Sequence, residues 1–125
     1  MTDGELLAAA DAAAARAYAP YSRFDVGCAV LCRDGHVVAG ANVENAAYPL
    51  GVCAERAAFS RAIAEGYRPG EFVVAAITAS PCGGCRQWLA EMGVERVVFR
   101  NGGRIVEMTP DELLPEQFEP DDLPA

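Results

Sequence analysis

The sequence predicts an α/β layer fold, a three-layer α/β/α arrangement in which a mixed five-stranded sheet carries helices on both faces. Three observations lead there. A β-hairpin pattern lies near residue 34, flanked by apolar runs. After it, apolar runs alternate with stretches of helical period, as strand-helix units do. The chain has 125 residues, 52% hydrophobic and 22% charged, which suits one hydrophobic core and a single domain over residues 1–125.

The elements follow in order. Thr2-Asp3-Gly4-Glu5 reads as a capping box, and Leu6, Leu7, Ala10, Ala13, Ala14, Ala17 and Tyr18 recur at helical spacing. Pro20 is expected to end that helix, because its ring disfavours a helical residue before it. Residues 26–32 (VGCAVLC) are apolar on both faces, as in a central strand. Asp34-Gly35 is a turn signal, and His36 to Asn42 returns as a second strand. Residues 43–52 read as a loop that delivers the chain to Cys53.

From Ala54 to Glu65 the period is helical, with Gly66 as a left-handed terminator. Phe72 to Ala79 is a third strand. Cys82 opens another helix that stops at Gly93, Glu95 to Arg100 is a fourth strand, and Arg104 to Met108 a fifth after an Asn-Gly-Gly turn. Thr109-Pro110-Asp111-Glu112 starts a short helix: a cap, a proline at the first position and acids in the first turn. The tail from Pro115 is acidic and proline-rich.

Formal net charge is -8, and all ten basic residues are arginines scattered along the chain. They form no basic stripe, which argues against a long nucleic-acid partner but not against one nucleoside. No apolar stretch is long enough to cross a bilayer, and the acidic N-terminus is unlike a signal peptide, so no membrane partner and a cytoplasmic location are expected. Five cysteines, with one Cys-x-x-Cys pair, favour metal binding or reactive thiols over disulfides in a reducing compartment.

Those thiols are not equivalent. Cys28 and Cys32 lie four apart in a strand, so both face one side of the sheet and read as packing. His36 follows a turn and reads as a surface residue. Cys53 and Cys82 each stand at a helix start, where partial positive charge favours the thiolate. With Cys85 they make three candidate sulfur ligands, leaving one tetrahedral position open, which is the catalytic rather than the structural zinc arrangement. Three thiolates on a divalent cation carry excess negative charge, which Arg56 can offset by hydrogen-bonding sulfur. Arg86 reads as structural. Glu55 could serve as a first-turn acid that complements the helix dipole, but beside three converging ligands it reads better as a general acid/base.

Cys53-Ala54-Glu55-Arg56 followed by Ser80-Pro81-Cys82-Gly83-Gly84-Cys85-Arg86-Gln87 resembles the zinc-dependent cytidine deaminase family in its small, three-cysteine, homotetrameric form. The similarity extends over Ala19-Pro20-Tyr21-Ser22-x-Phe24-x-Val26-Gly27, Asn42-Val43-Glu44-Asn45-Ala46-Ala47-Tyr48 and Glu112-Leu113-Leu114-Pro115-x-x-Phe118. The resemblance implies that Cys53, Cys82 and Cys85 hold Zn2+, that Glu55 shuttles protons and that Arg56 tempers the thiolates. It implies that Phe24, Asn42 and Glu44 line a nucleoside pocket, the last two at the ribose 3′-hydroxyl. It further implies that backbone groups near Ala54 and Ser80 read the pyrimidine edge, and that Ala46, Tyr48 and Phe118 reach a neighbouring subunit's site in a homotetramer with shared sites. Two departures stand out: a shortened segment before Pro81, and cysteines at 28 and 32 where the family favours small or apolar residues.

The activity implied is hydrolytic deamination of cytidine and 2′-deoxycytidine to uridine and 2′-deoxyuridine with release of ammonia, a step of pyrimidine salvage. Two alternatives are carried forward. One is a deaminase of a modified cytosine nucleoside such as an aminoacyl-nucleoside antibiotic, motivated by the shortened segment. The other is a non-catalytic zinc-stabilised binding module, which requires a fourth protein ligand.

Overall fold

The computed structural model describes residues 1–124. The elements are α1 (Asp3–Ala14), β1 (Gly27–Cys32), β2 (Val37–Ala41), α2 (Ala54–Ala64), β3 (Phe72–Ile77), α3 (Gly83–Met92), β4 (Arg96–Asn101), β5 (Arg104–Met108) and α4 (Pro110–Leu113). The sheet order is β2-β1-β3-β4-β5. Only β3 and β4 pair in parallel; the other neighbours are antiparallel, so the sheet is mixed as expected.

The two faces carry separate cores. On one, Leu6, Leu7 and Ala10 of α1 cover Ala29, Val74, Ala76 and Val98. On the other, Ala58, Phe59 and Ala62 of α2 and Leu89 of α3 cover Val30, Ala75, Ile77, Val97 and Phe99. The alternation along each strand follows from side chains that point to opposite faces in turn. Fully burying each large apolar side chain contributes roughly 1.5–3 kcal/mol.

Two glycines set how closely the helices sit on the sheet. A Cβ at Gly40 would lie 2.4 Å from the Ala58 amide nitrogen, and one at Gly27 would lie 1.9 Å from the Ala10 carbonyl oxygen. The backbones of α2 and α1 therefore rest directly on β2 and β1, and the height of the α2 start above the sheet is fixed by contact.

The capping box at Thr2 and Glu5 is present, as is a second at Thr109 and Glu112. Gly93 ends α3 in a left-handed conformation, and Gly35 and Gly66 also adopt positive φ. One boundary differs clearly from expectation. The first helix stops at Ala14 instead of running to Pro20. The Tyr18 amide bonds the Asn42 carbonyl at 3.0 Å, and the Glu44 amide bonds the Tyr18 carbonyl at 2.8 Å. Long-range pairing thus takes the backbone groups that further helical turns would use, overriding local propensity. Both salt bridges from α1 to β4 are forked: Arg96 to Asp3 at 2.8 and 2.9 Å, and Arg100 to Asp11 at 2.6 and 2.9 Å.

The topology gathers several chain ends at one rim. β2 and β3 run the same way with β1 antiparallel between them. The start of β1 therefore lies beside the ends of β2 and β3, from which the chain leads into the starts of α2 and α3.

Candidate zinc and nucleoside site

At this rim Cys53 is the N-cap of α2 and Cys82 the N-cap of α3, both with extended backbone, while Cys85 lies in the first turn of α3. The three Sγ atoms all lie within 4.8 Å of one another. Cys53 Sγ and Cys82 Sγ are 3.9 Å apart. Four ligands about 2.3 Å from a tetrahedral zinc have edges of about 3.8 Å, so this spacing and donor set fit the ion. Both helix starts direct positive dipole ends at the cluster, which favours thiolates.

The thiols respond differently to this setting. Burial pushes Cys85 far up, reinforced by the nearby Glu55 carboxylate. For Cys82 burial acts upward too, but hydrogen bonds from the Cys85 amide and from the other two thiols outweigh it, and its pKa falls. Arg56 donates from Nη2 to Cys53 Sγ at 3.3 Å, as expected of a side chain that draws off thiolate charge. Its Nε is buried without a hydrogen-bond partner. The bond to the Cys53 sulfur raises the Arg56 pKa against the opposing effect of burial.

Glu55 is 3% exposed and is, among the described residues, the one charged residue in the core. It leaves the first turn of α2 beside the sulfurs, and burial raises its pKa. A carboxylate kept there without an ion pair is costly, whereas one that exchanges protons with a reacting molecule has a use for that shift.

Above this floor opens a cavity of about 280 Å3, lined by Phe24, Asn42, Glu44, Cys53, Ala54, Glu55, Ser80 and Cys82 among others. The segments that converge at the rim thus supply the residues predicted for the pocket. Asn42 Oδ1 accepts from the Val26 amide at 2.8 Å and its Nδ2 donates to the Phe24 carbonyl at 2.9 Å. One lone pair and one N–H remain for a ligand. Glu44 Oε1 accepts from the Tyr21 and Ser22 amides, each at 3.0 Å, and Ser22 Oγ hydrogen-bonds Glu44 Oε2.

Three of the residues predicted to bind substrate lie outside this cavity. Ala46 and Tyr48 sit in the exposed loop after β2, with Tyr48 75% exposed, and Phe118 is 57% exposed in the tail. Ser22, Val26 and Ala79 line the cavity without having been singled out. Ser22 and Val26 fall within the stretches compared above, and their side chains alone give no signal of a site. Cys28 and Cys32 are sealed under α2 and away from the cluster, and His36 is exposed beside Glu65, as expected. Arg86 is structural. It donates to the Pro81 carbonyl at 3.0 Å and the Leu113 carbonyl at 2.9 Å, which ties the cysteine loop to α4.

Comparison with known proteins agrees with this geometry. Residues 1–101 match the family described as cytidine and deoxycytidylate deaminase zinc-binding region. A cytidine deaminase of Halalkalibacterium halodurans is 47% identical over 116 residues, covering 86% of each chain. The crystal structure of cytidine deaminase from Burkholderia pseudomallei superposes with a TM-score of 0.89 at 46% identity, covering 94% of this chain and all of that one. The crystal structure of cytidine deaminase from Mycobacterium tuberculosis gives a TM-score of 0.82 at 38% identity, with 95% and 98% covered.

Proposed function

We propose a function from the premise that the chain belongs to the cytidine and deoxycytidylate deaminase zinc-binding family: it is a hydrolase that deaminates cytidine and 2′-deoxycytidine to the corresponding uridines and ammonia. The observation that carries this reading is the buried Glu55 carboxylate beside three converging sulfurs, beneath a cavity of nucleoside-compatible polarity. Cys53, Cys82 and Cys85 would hold the zinc, which would supply the Lewis acidity that lets a water molecule give up a proton near neutral pH.

The protein's own groups then divide the work, following the general chemistry of zinc deaminases. Glu55 takes a proton from the attacking water as its oxygen bonds to C4 of the ring, and passes that proton to N3. The proton of the new C4 hydroxyl then moves through Glu55 to the exocyclic nitrogen, the C4–N bond breaks as the C4 carbonyl forms, and ammonia leaves. Its burial supports this role, since a raised pKa makes both acceptance and return of a proton accessible. Arg56 spreads the excess negative charge of the thiolates through its bond to Cys53.

Phe24 forms one wall for the nucleoside, while Asn42 and Glu44 take the ribose 3′-hydroxyl. Backbone groups at Ala54 and Ser80 read the pyrimidine edge. The exposed aromatic rings of Tyr48 and Phe118, together with Ala46, support a homotetramer in which these residues enter neighbouring sites. All five cysteines are free thiols, which supports a reducing, cytoplasmic compartment. Among the described residues no helix is long and apolar enough to cross a membrane.

The test is loss of ultraviolet absorbance of cytidine with purified protein, before and after chelation. Turnover that disappears with the metal and returns with zinc is expected. Protein with a full complement of zinc that leaves both cytidine and 2′-deoxycytidine unchanged sinks the reading.

A further inference from the structure

We propose that Ser22 is a positioning residue for substrate: its hydroxyl orients the Glu44 carboxylate, so that preference for a free ribose 3′-hydroxyl depends on Ser22. The inference rests on the reading that Glu44 receives this hydroxyl, and goes beyond it by naming what holds Glu44 in place.

Glu44 stands where two cavities meet. The inner one, about 280 Å3, holds Cys53 and Glu55; the outer one, about 330 Å3, is lined by Tyr21, Asn45 and Tyr48. Ser22 and Glu44 line both, so they form the partition between them. A glutamate side chain with open space on either side has several rotamers within reach, and something must choose among them.

Hydrogen bonding does so in two parts. The Tyr21 and Ser22 amides both donate to Oε1, each at 3.0 Å. Two donors on one oxygen pin Oε1 but still let the carboxylate pivot about that atom, which leaves Oε2 unplaced. The Ser22 hydroxyl bonds the other oxygen, Oε2, and so sets the plane of the group. The same Oγ accepts from the Phe24 amide at 3.1 Å, coupling Glu44 to the segment that carries the pocket wall. Arg23 between them has a φ of 59°, a left-handed kink tolerated by few side chains, and the Ser22–Phe24 bond spans it.

The chemistry of the orientation favours one ligand class. The Ser22 hydroxyl, ahead of the backbone amides, keeps Glu44 below the usual glutamate range and therefore ionised. An ionised carboxylate only accepts hydrogen bonds, so it suits a hydroxyl and repels a phosphate at the same position. Ser22 is exposed and contributes no core packing, so its hydroxyl can be removed without emptying a buried site.

The experiment compares kcat/KM on 2′-deoxycytidine and on 2′,3′-dideoxycytidine, using zinc-loaded wild type, Ser22→Ala, Ser22→Cys and Ser22→Thr. In wild type the 3′-hydroxyl is expected to be worth about 10- to 100-fold, as for a hydrogen bond to a charged group. Ser22→Ala should shrink that ratio at least about fivefold, with the loss on 2′-deoxycytidine falling on KM more than on kcat. Ser22→Cys, a similar size with a weaker donor, should lie between, and Ser22→Thr should restore the ratio. A purely structural role would weaken both substrates equally and leave the ratio at the wild-type value, which overturns the proposal. Should Ser22→Ala fail to fold, an unchanged ratio in Ser22→Cys overturns it equally. A wild-type ratio near one fails earlier, because it removes the 3′-hydroxyl from Glu44 and takes the positioning role with it.

Discussion

Cys28 and Cys32 lie in β1 with their side chains sealed into the core beneath α2, whereas Cys53, Cys82 and Cys85 meet at the starts of two helices. Burial does not separate the two sets, for Cys85 is as inaccessible as Cys28. Burial raises both Cys28 and Cys85, and lifts Cys32 to about 11. What separates them is company. Each rim sulfur has two others within 4.8 Å, an arginine reaches Cys53, and two helix dipoles point at the cluster. The β1 thiols sit in the apolar core and have only carboxylates as charged neighbours, Glu55 for Cys28 and Asp34, Glu65 and Glu71 for Cys32, which push the thiols further up. A thiol's chemistry here is decided by which donors and charges converge on it.

The sharpest way to break this contrast is to remove one rim sulfur. Cys85→Ala should bring zinc content down from stoichiometric to background and eliminate cytidine turnover, as read by metal analysis and absorbance on one preparation. Retained zinc would mean that the cluster is not the ligand set.

Glu55→Gln should keep zinc yet lower kcat by about 10²- to 10⁴-fold, the range for a positioned acid/base. The same variant tests its burial. The folded-state pKa of Glu55 is raised, so its favourable contribution is complete below the ordinary glutamate value of 4.5 and is lost as pH climbs through the raised value. Metal-free Glu55→Gln should therefore unfold at higher temperature than metal-free wild type at pH 7, with the gap closing near pH 4. A gap of opposite sign would show that the carboxylate is stabilised there.

Arg56→Gln should weaken zinc binding about 10- to 100-fold in chelator competition, the usual cost of losing a group that supports a metal ligand. Unaltered affinity would leave the arginine as packing only. The smallest effect belongs to β1. Cys28→Ala or Cys32→Ala should cost about 1–2 kcal/mol in denaturant unfolding, with full zinc content and near-normal turnover. Zinc loss in either variant would erase the distinction between the two sets.

Much of the layout was legible because its signals are local. The capping box at Thr2, the Thr109 cap, the Asp34-Gly35 turn and the glycine that stops α3 all act within a few residues, and each appears where expected. The α1 end was not legible, since it depends on Tyr18 pairing with Asn42 and Glu44 more than twenty residues away. The site divides the same way. The cysteines, Glu55 and Arg56 announce themselves by type and spacing, whereas Ser22 is an ordinary serine until the fold brings Glu44 against it.

The sequence by itself determined the order and period of the elements, the thiol-bearing helix starts and the family that their spacing resembles. All of these are written in residues near one another, so local sterics and hydrogen bonding suffice to express them. Tertiary structure alone decided that the sulfurs of residues 53, 82 and 85 meet, that Glu55 lies buried beside them, and that Ser22 shares a wall with Glu44. Those outcomes depend on β1 lying antiparallel between β2 and β3, and on Gly40 letting α2 touch the sheet. Contacts across such separations are fixed by sheet register and close packing, which no short stretch of the chain carries.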